Sequence, residues 1–345
     1  MVDLDIQVSD FDKQYKENVI GFEKDSFVET WTENQAWQID FIIKEKPGEN
    51  DVSFRLIDYE SSIFYDGQEF VIKKMTSAGA GAKHIKSVTA THVSFNMQDQ
   101  FRYEVLTGKL TIQACLKHIF GVDQNKVNAA GFSWEVIGSF ISIEQENFGA
   151  NDWLNLLLEV QKDYMATMIP DNKHLAFRVS DYGEKTENEI RYRENTNEIQ
   201  FDIDTFNLRT QIRGSGKKDE DGNDLFPPVT YTSPEADRWG IRVADPVEDE
   251  RYTDASSLTA RLKNDLQDKP EVSGSVTLSK LYNVNKCDYV MIIYEPLNIK
   301  IDVKICGFKK YPFVIKPPDV TISNRKKDMQ SIIANLARKV MKGAR

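Results

Sequence analysis

Residues 238–281 read RWGIRVADPVEDERYTDASSLTARLKNDLQDKPEVSGSVTLSKL. Trp239, Ile241 and Val243 alternate with polar neighbours, a spacing that predicts a short strand. An acidic, proline-containing loop follows at 245–249. Asp254 then stands where an N-cap belongs, its carboxylate placed to take a free backbone N–H. Leu258, Leu262 and Leu266 recur every fourth residue and share one face of a helix. Pro270 cannot continue that helix, and a strand begins near Glu271. No residue set in the stretch does chemistry.

Moving outward from this stretch, β signals dominate. Downstream, YVMIIYEPLNIKIDVKICGF predicts a hairpin, with Ile299, Ile301, Val303 and Ile305 on one face and Lys300, Asp302 and Lys304 on the other. A turn at 312–318 and the strand DVTIS close the β part. Upstream, EIQFDIDTFNLRTQIRG alternates in the same way and is followed by the acidic loop KKDEDGND. In the opening residues AWQIDFII places Trp37, Ile39, Phe41 and Ile43 on one face, and VSFRLI, after a Pro47-Gly48 turn, reads as another strand. Asp66-Gly67 supplies the positive φ of a tight hairpin turn.

Residues 98–180 change character. Ile112, Cys115, Leu116, Ile119 and Phe120 form a helical face that Gly121 ends. A second helix, starting at Asn151, carries Trp153, Leu157, Val160 and Tyr164, and a strand–turn–strand unit around 170–173 follows.

The expected class is therefore α+β and β-rich, with several domains, as a chain of 345 residues favours. We expect a first β-barrel-like domain from 1–97 together with about 181–215. An α+β insertion occupies 98–180. A second barrel-like domain spans 216–322, with a helical insertion near 254–269. A basic amphipathic helix fills 323–345, where Met329, Ile332, Ile333, Leu336 and Val340 make one apolar stripe suited to self-association.

Charge narrows the function. The net charge is −10, yet 325–345 holds seven Lys or Arg against one Asp, which leaves −16 for the rest. So acidic a body repels nucleic acid, and no sequence-specific nucleic-acid binding is expected. No apolar run reaches the roughly 20 residues of a membrane helix. The acidic N-terminus lacks the apolar core of an export signal. Three scattered cysteines argue against a disulfide framework and read as small core or half-buried residues.

Candidate chemistry is thin. Residues 78–83, AGAGAK, lack the glycine spacing of a phosphate loop and read as a mobile loop. With Gly222 in the glycine place of a calcium loop, Lys217 and Pro228 fall on the first and twelfth ligand positions, so the register fails. Cys115 and His118 are three apart on one helix, the spacing of a Cys–His dyad, but Cys115 looks core-facing. No catalytic residue, metal ligand or cofactor is expected.

Four pieces resemble one family: WGIRVADPVEDERYTD, the helix ending LQDKPEV, the hairpin YEPLNIKIDVKICGF, and YPF followed by VTISN. FGANDWLNLLLEVQKDYMATMIPD adds to the likeness. They are similar to the siphophage tail-hub proteins of Gram-positive hosts, the N-terminal part of the prophage endopeptidase tail or tail-associated lysin family. The resemblance implies a fold similar to contractile-phage baseplate hubs: a homotrimer whose paired barrels make a pseudo-sixfold ring at the virion tail tip. It implies as partners a hexameric distal tail protein, a tape-measure protein, and a downstream lysin or receptor-binding protein, with assembly in the host bacterial cytoplasm. The enzyme of the family is a separate later domain, so this chain is expected to be structural. Two readings stay open: a peptidoglycan hydrolase, and a receptor-binding module using Trp31, Trp134 or Trp239.

Overall fold

The computed structural model describes residues 5–80, 83–179, 182–194, 199–219, 221–278, 284–295 and 299–323. The expected C-terminal helix and its stripe Met329, Ile332, Ile333, Leu336 and Val340 lie outside the described residues.

The first third of the chain runs β1 (Gln7–Ser9), β2 (Lys16–Asn18), β3 (Val28–Thr32), β4 (Ala36–Lys44), helix α1 (Asp51–Leu56), β5 (Ser62–Tyr65), β6 (Gln68–Ala80) and β7 (Lys83–His92). The middle runs β8 (Phe101–Leu110), α2 (Ile112–Phe120), β9 (Ser133–Ile137), β10 (Ile143–Asp152), α3 (Trp153–Asp163), β11 (Ala166–Asp171) and β12 (His174–Val179). The last part runs β13 (Lys185–Arg191), β14 (Ile199–Asp204), β15 (Gln211–Ser215), β16 (Val229–Thr232), α4 (Ala236–Trp239), β17 (Val247–Glu248), α5 (Ala255–Asp265), β18 (Glu271–Thr277), β19 (Tyr289–Tyr294), β20 (Ile299–Lys310) and β21 (Asp319–Ser323). The class is α+β and β-rich, as the alternation of the sequence requires.

One sheet of 13 strands, curled into a half-barrel, carries the main core. Its path is β14-β18-β21-β20-β3-β4-β7-β6-β5-β1-β2, with β19 on β20 and β13 on β19. Strand β20 joins the two ends of the chain. Its Lys304–Lys309 stretch pairs with β21, Gly307–Lys310 pairs with β3, and Ile299–Lys304 pairs with β19. The strands expected for two barrels thus lie side by side around one shared core. Residues 185–191 and 199–204, grouped from the sequence with the opening strands, pair instead with β19 and β18. Alternation marks a strand and its buried face; it carries no information on the partner.

The middle third forms its own core, with Trp134, Leu156, Leu157, Val160 and Phe177 between α2, α3 and the β11-β12-β9 sheet. Thr111 caps α2 through Oγ1, which accepts from Ala114 N at 3.1 Å, and Gly121 ends it in the left-handed region. Asp152, one residue beyond the expected Asn151, caps α3. A third, smaller core packs Leu258 and Leu262 of α5, with Leu266 at its C-cap, onto Ile212 and Tyr252, beside the sheet β16-β15-β17. Asp254 caps α5 as expected, accepting from Ser257 N at 2.8 Å.

Three local expectations fail. Trp239 ends the helical turn α4, and Ile241 and Val243 are exposed with one isolated bridge to Gln211, so no strand forms there. Residues 51–56 are the helix α1, not a strand. Ser53 and Phe54 face inward from it, a pattern too short for its period to be legible in six residues. Residues 78–80 belong to β6, where Gly79 pairs with His84 of β7, so the expected loop is the end of a long hairpin.

Candidate functional site

Polar side chains gather where the three cores meet. The first junction joins two hairpin turns. Asp66 and Gly67 hold φ of 49° and 73° ahead of β6, and Asn172 holds 52° between β11 and β12. Gln68 Nε2 donates to Asp171 Oδ1 at 2.9 Å, and Asn172 N donates to Gln68 Oε1 at 2.9 Å. Glu69 N donates to Asn172 Oδ1 at 2.8 Å, and Asn172 Nδ2 to the Gly67 carbonyl at 3.0 Å. Behind Gln68 lies the buried His92. Its Nδ1 accepts from Ser94 N at 3.4 Å, so Nε2 carries the proton and donates to Gln68 Oε1 at 3.1 Å. Burial, then the nearby Lys286, pushes His92 down to about 3. Trp37 stacks on His92, carries Lys286 Nζ 2.8 Å from its ring centroid, and donates Nε1 to Glu29 at 3.0 Å.

The second junction centres on Glu33, between β3 and β4. Its carboxylate pairs with Lys304 of β20 and accepts from Thr167 Oγ1 of β11 at 3.0 Å. Asn34 Oδ1 accepts from Met168 N at 3.3 Å. One turn thereby holds both the closing strands and the middle unit.

At the third junction Arg251 forks between α3 and the α5 unit. Its Nε and Nη2 meet Asp249 at 2.9 and 2.8 Å, and Nη1 reaches the buried Asp163 at 2.7 Å. Gln145 Nε2 donates to the other Asp163 oxygen at 3.0 Å. Hydrogen bonding to Asp249, then the charge of Asp163, raises Arg251 beyond its ordinary value in spite of burial. Lys109 of β8 adds a contact to Thr253 at 3.0 Å.

These groups are occupied in joining units, and their chemistry is that of a frame. The Cys–His dyad does not assemble. Cys115 is buried with its thiol 3.3 Å from the Tyr164 hydroxyl, while His118 Nε2 lies 2.8 Å from the Glu104 carbonyl. Burial pushes Cys115 up to about 11, the wrong direction for a nucleophile. The acidic loop at 219–224 is closed on itself, Asp219 Oδ1 accepting from Asp221 N and Asn223 N at 3.0 and 2.8 Å. Trp31 and Trp134 are core residues and Trp239 is half-buried. Sequence reasoning missed β8 and its outward row of Phe101, Tyr103 and Val105, whose alternation FRYEV was legible. It also missed the Glu33–Lys304 and Arg251 junctions, whose partners lie far apart in the chain and leave no local signal.

Among the described residues, three packed cores joined by polar junctions make one β-rich α+β frame. Family models place it: prophage endopeptidase tail N-terminal domain at residues 6–92, prophage endopeptidase tail domain at 99–177 and prophage endopeptidase tail at 184–333. Prophage tail protein gp18 from Listeria monocytogenes EGD-e is 46% identical, with 98% of this chain and 99% of that one covered and a TM-score of 0.82. The chain belongs to the prophage endopeptidase tail family. Two further solved structures share the fold. A tail protein from Neisseria meningitidis MC58 has 10% identity, a TM-score of 0.61 and coverage of 93% of this chain and 96% of that one. The 43 kDa tail protein of prophage MuSo2 from Shewanella oneidensis has 12% identity, a TM-score of 0.59 and coverage of 94% and 99%. Comparison with curated proteins finds no match.

Proposed function

We propose that this tail protein is the hub of a phage or phage-like tail tip. It acts as a homotrimeric ring between a hexameric distal tail protein and the distal tip, with the tape-measure protein above and DNA passing through. The chain works by shape, without catalysis, and is assembled in the host bacterial cytoplasm. The observation that carries the reading is the whole-length likeness, at 46% identity, to a Listeria prophage tail protein. The stripe Met329, Ile332, Ile333, Leu336 and Val340 is the proposed self-association surface, because its three- and four-residue steps put five apolar side chains in line on a basic segment.

Light scattering of the chain co-assembled with its ring partner tests this. Three copies per ring support the hub, and a single copy in that assembly overturns it. The family description names an endopeptidase, which favours one second reading, a tail-associated peptidoglycan hydrolase. Zymography on Gram-positive cell walls separates the two: a cleared band from the purified chain establishes the hydrolase.

A further inference from the structure

Two of the three cysteines fall on one register position at the end of the β19–β20 pair. Tyr289 of β19 is in register with Lys304 of β20, and the Ile305 N–H donates to the Asp288 carbonyl at 2.8 Å, which carries the ladder one residue further. The next position sets Cys287 opposite Cys306. Ile305 donates that ladder bond to Asp288, so in a continued ladder 287 and 306 fall on a non-hydrogen-bonded position. At such a position of a regular ladder Cα atoms stand about 4.5 Å apart, within the span a disulfide bridges. Cys287 holds the left-handed region with φ of 65°, and Cys306 is the bulged residue where β20 slips against β21. The Cys306 thiol lies 3.6 Å from the Lys304 carbonyl, and the Glu33 carboxylate, paired with Lys304, is close enough to raise both thiols. Cys287 is buried and Cys306 half-buried.

We propose that Cys287 and Cys306 are a redox pair that closes into an intrachain disulfide under a two-electron peroxide oxidant. Cys306 Sγ attacks one oxygen of hydrogen peroxide, breaking the O–O bond and giving the sulfenic acid and one water. Cys287 Sγ then attacks Cys306 Sγ, displacing the hydroxyl as a second water and leaving the S–S bond. Glu33 takes the Cys287 proton and passes it to the departing hydroxyl. Burial pushes both thiols up to about 12, which keeps the thiolate fraction low and the pair slow to react. The bond ties the approach to β19 onto β20 beside the Glu33 junction. It would stiffen the frame after the particle leaves the cell; that consequence rests on the tail reading, and the bond itself does not.

The test uses the purified chain. Hydrogen peroxide treatment, then thiol counting in denaturant, should lower the free thiols from three per chain to about one. Peptide mapping should recover a 287–306 link. Cys115→Ser should still form the link, and Cys306→Ser should form none while keeping its remaining thiols. Loss of the Cys115 thiol at the same rate as the other two overturns the proposal, as does irreversible oxidation of Cys306 without a link.

Discussion

Arg251 shows how much one side chain holds. Its partner Asp163 is 6% exposed, so removing the guanidinium strands a carboxylate away from water. Arg251→Met should cost about 3 kcal/mol, read as a lowered urea midpoint with an unchanged slope. Asp249 gives the pH dependence. Burial raises its pKa, but the hydrogen bond and charge of Arg251 outweigh it, and the net shift is downward. A carboxylate with a lowered native pKa stabilises above its unfolded value, about 3.9, and loses that contribution as pH falls through the native value. Asp249→Asn should therefore flatten the acid limb of stability below about pH 4. Lys286 works in the opposite sense. Burial, chiefly, lowers it to about 7 against the pull of Glu29. Between that value and about 10.4 the unfolded chain binds a proton the native chain lacks, so stability rises with pH in that window. Lys286→Met should remove the slope and raise the thermal midpoint at pH 6. An unchanged profile would show that the Trp37 face compensates the ammonium in full.

Elements were unevenly legible. The α5 helix was readable to its cap, because Asp254 and three leucines at four-residue steps encode it locally. The Asp66-Gly67 hairpin and the Ile299–Lys310 strand were readable for the same reason. Pairing was not, because β20 contacts partners from both ends of the chain and its own alternation favours none of them. Backbone irregularity was also hidden. Between β8 and β10 a bulge sets Gly149 at φ of 140°, where an added Cβ would stand 2.0 Å from the Glu104 carbonyl oxygen. Gly149→Ala should unseat this ribbon and lower the thermal midpoint; an unchanged midpoint would mean the bulge shifts freely. The hairpin-to-hairpin junction is invisible in sequence for a different reason, since Gln68 and Asn172 are ordinary turn residues. A double-mutant cycle on Gln68→Ala and Asp171→Ala should return a coupling of about 1 kcal/mol, because Gln68 Nε2 donates directly to Asp171 Oδ1 across the junction. A coupling near zero would mean that water replaces these bonds at no cost.

At the scale of the molecule, the distribution of charge bears on the proposed ring. Outside 325–345 the chain carries −16. The proposed ring would multiply that charge around one axis in three copies. Acids turned inward would give a wall that repels phosphate along its length, so that DNA slides without adhering. Acids turned outward would affect only solubility. The two arrangements separate under substitution. Lys placed at acids found to line the lumen should slow DNA ejection, with a larger effect at low salt, because screening shortens the reach of each charge to about 8 Å at physiological ionic strength. Substituting an equal number of outward acids should leave ejection unchanged. Identical ejection from both sets, in particles of equal number and normal shape, would remove the electrostatic argument for a conduit and leave the ring to stand on assembly alone.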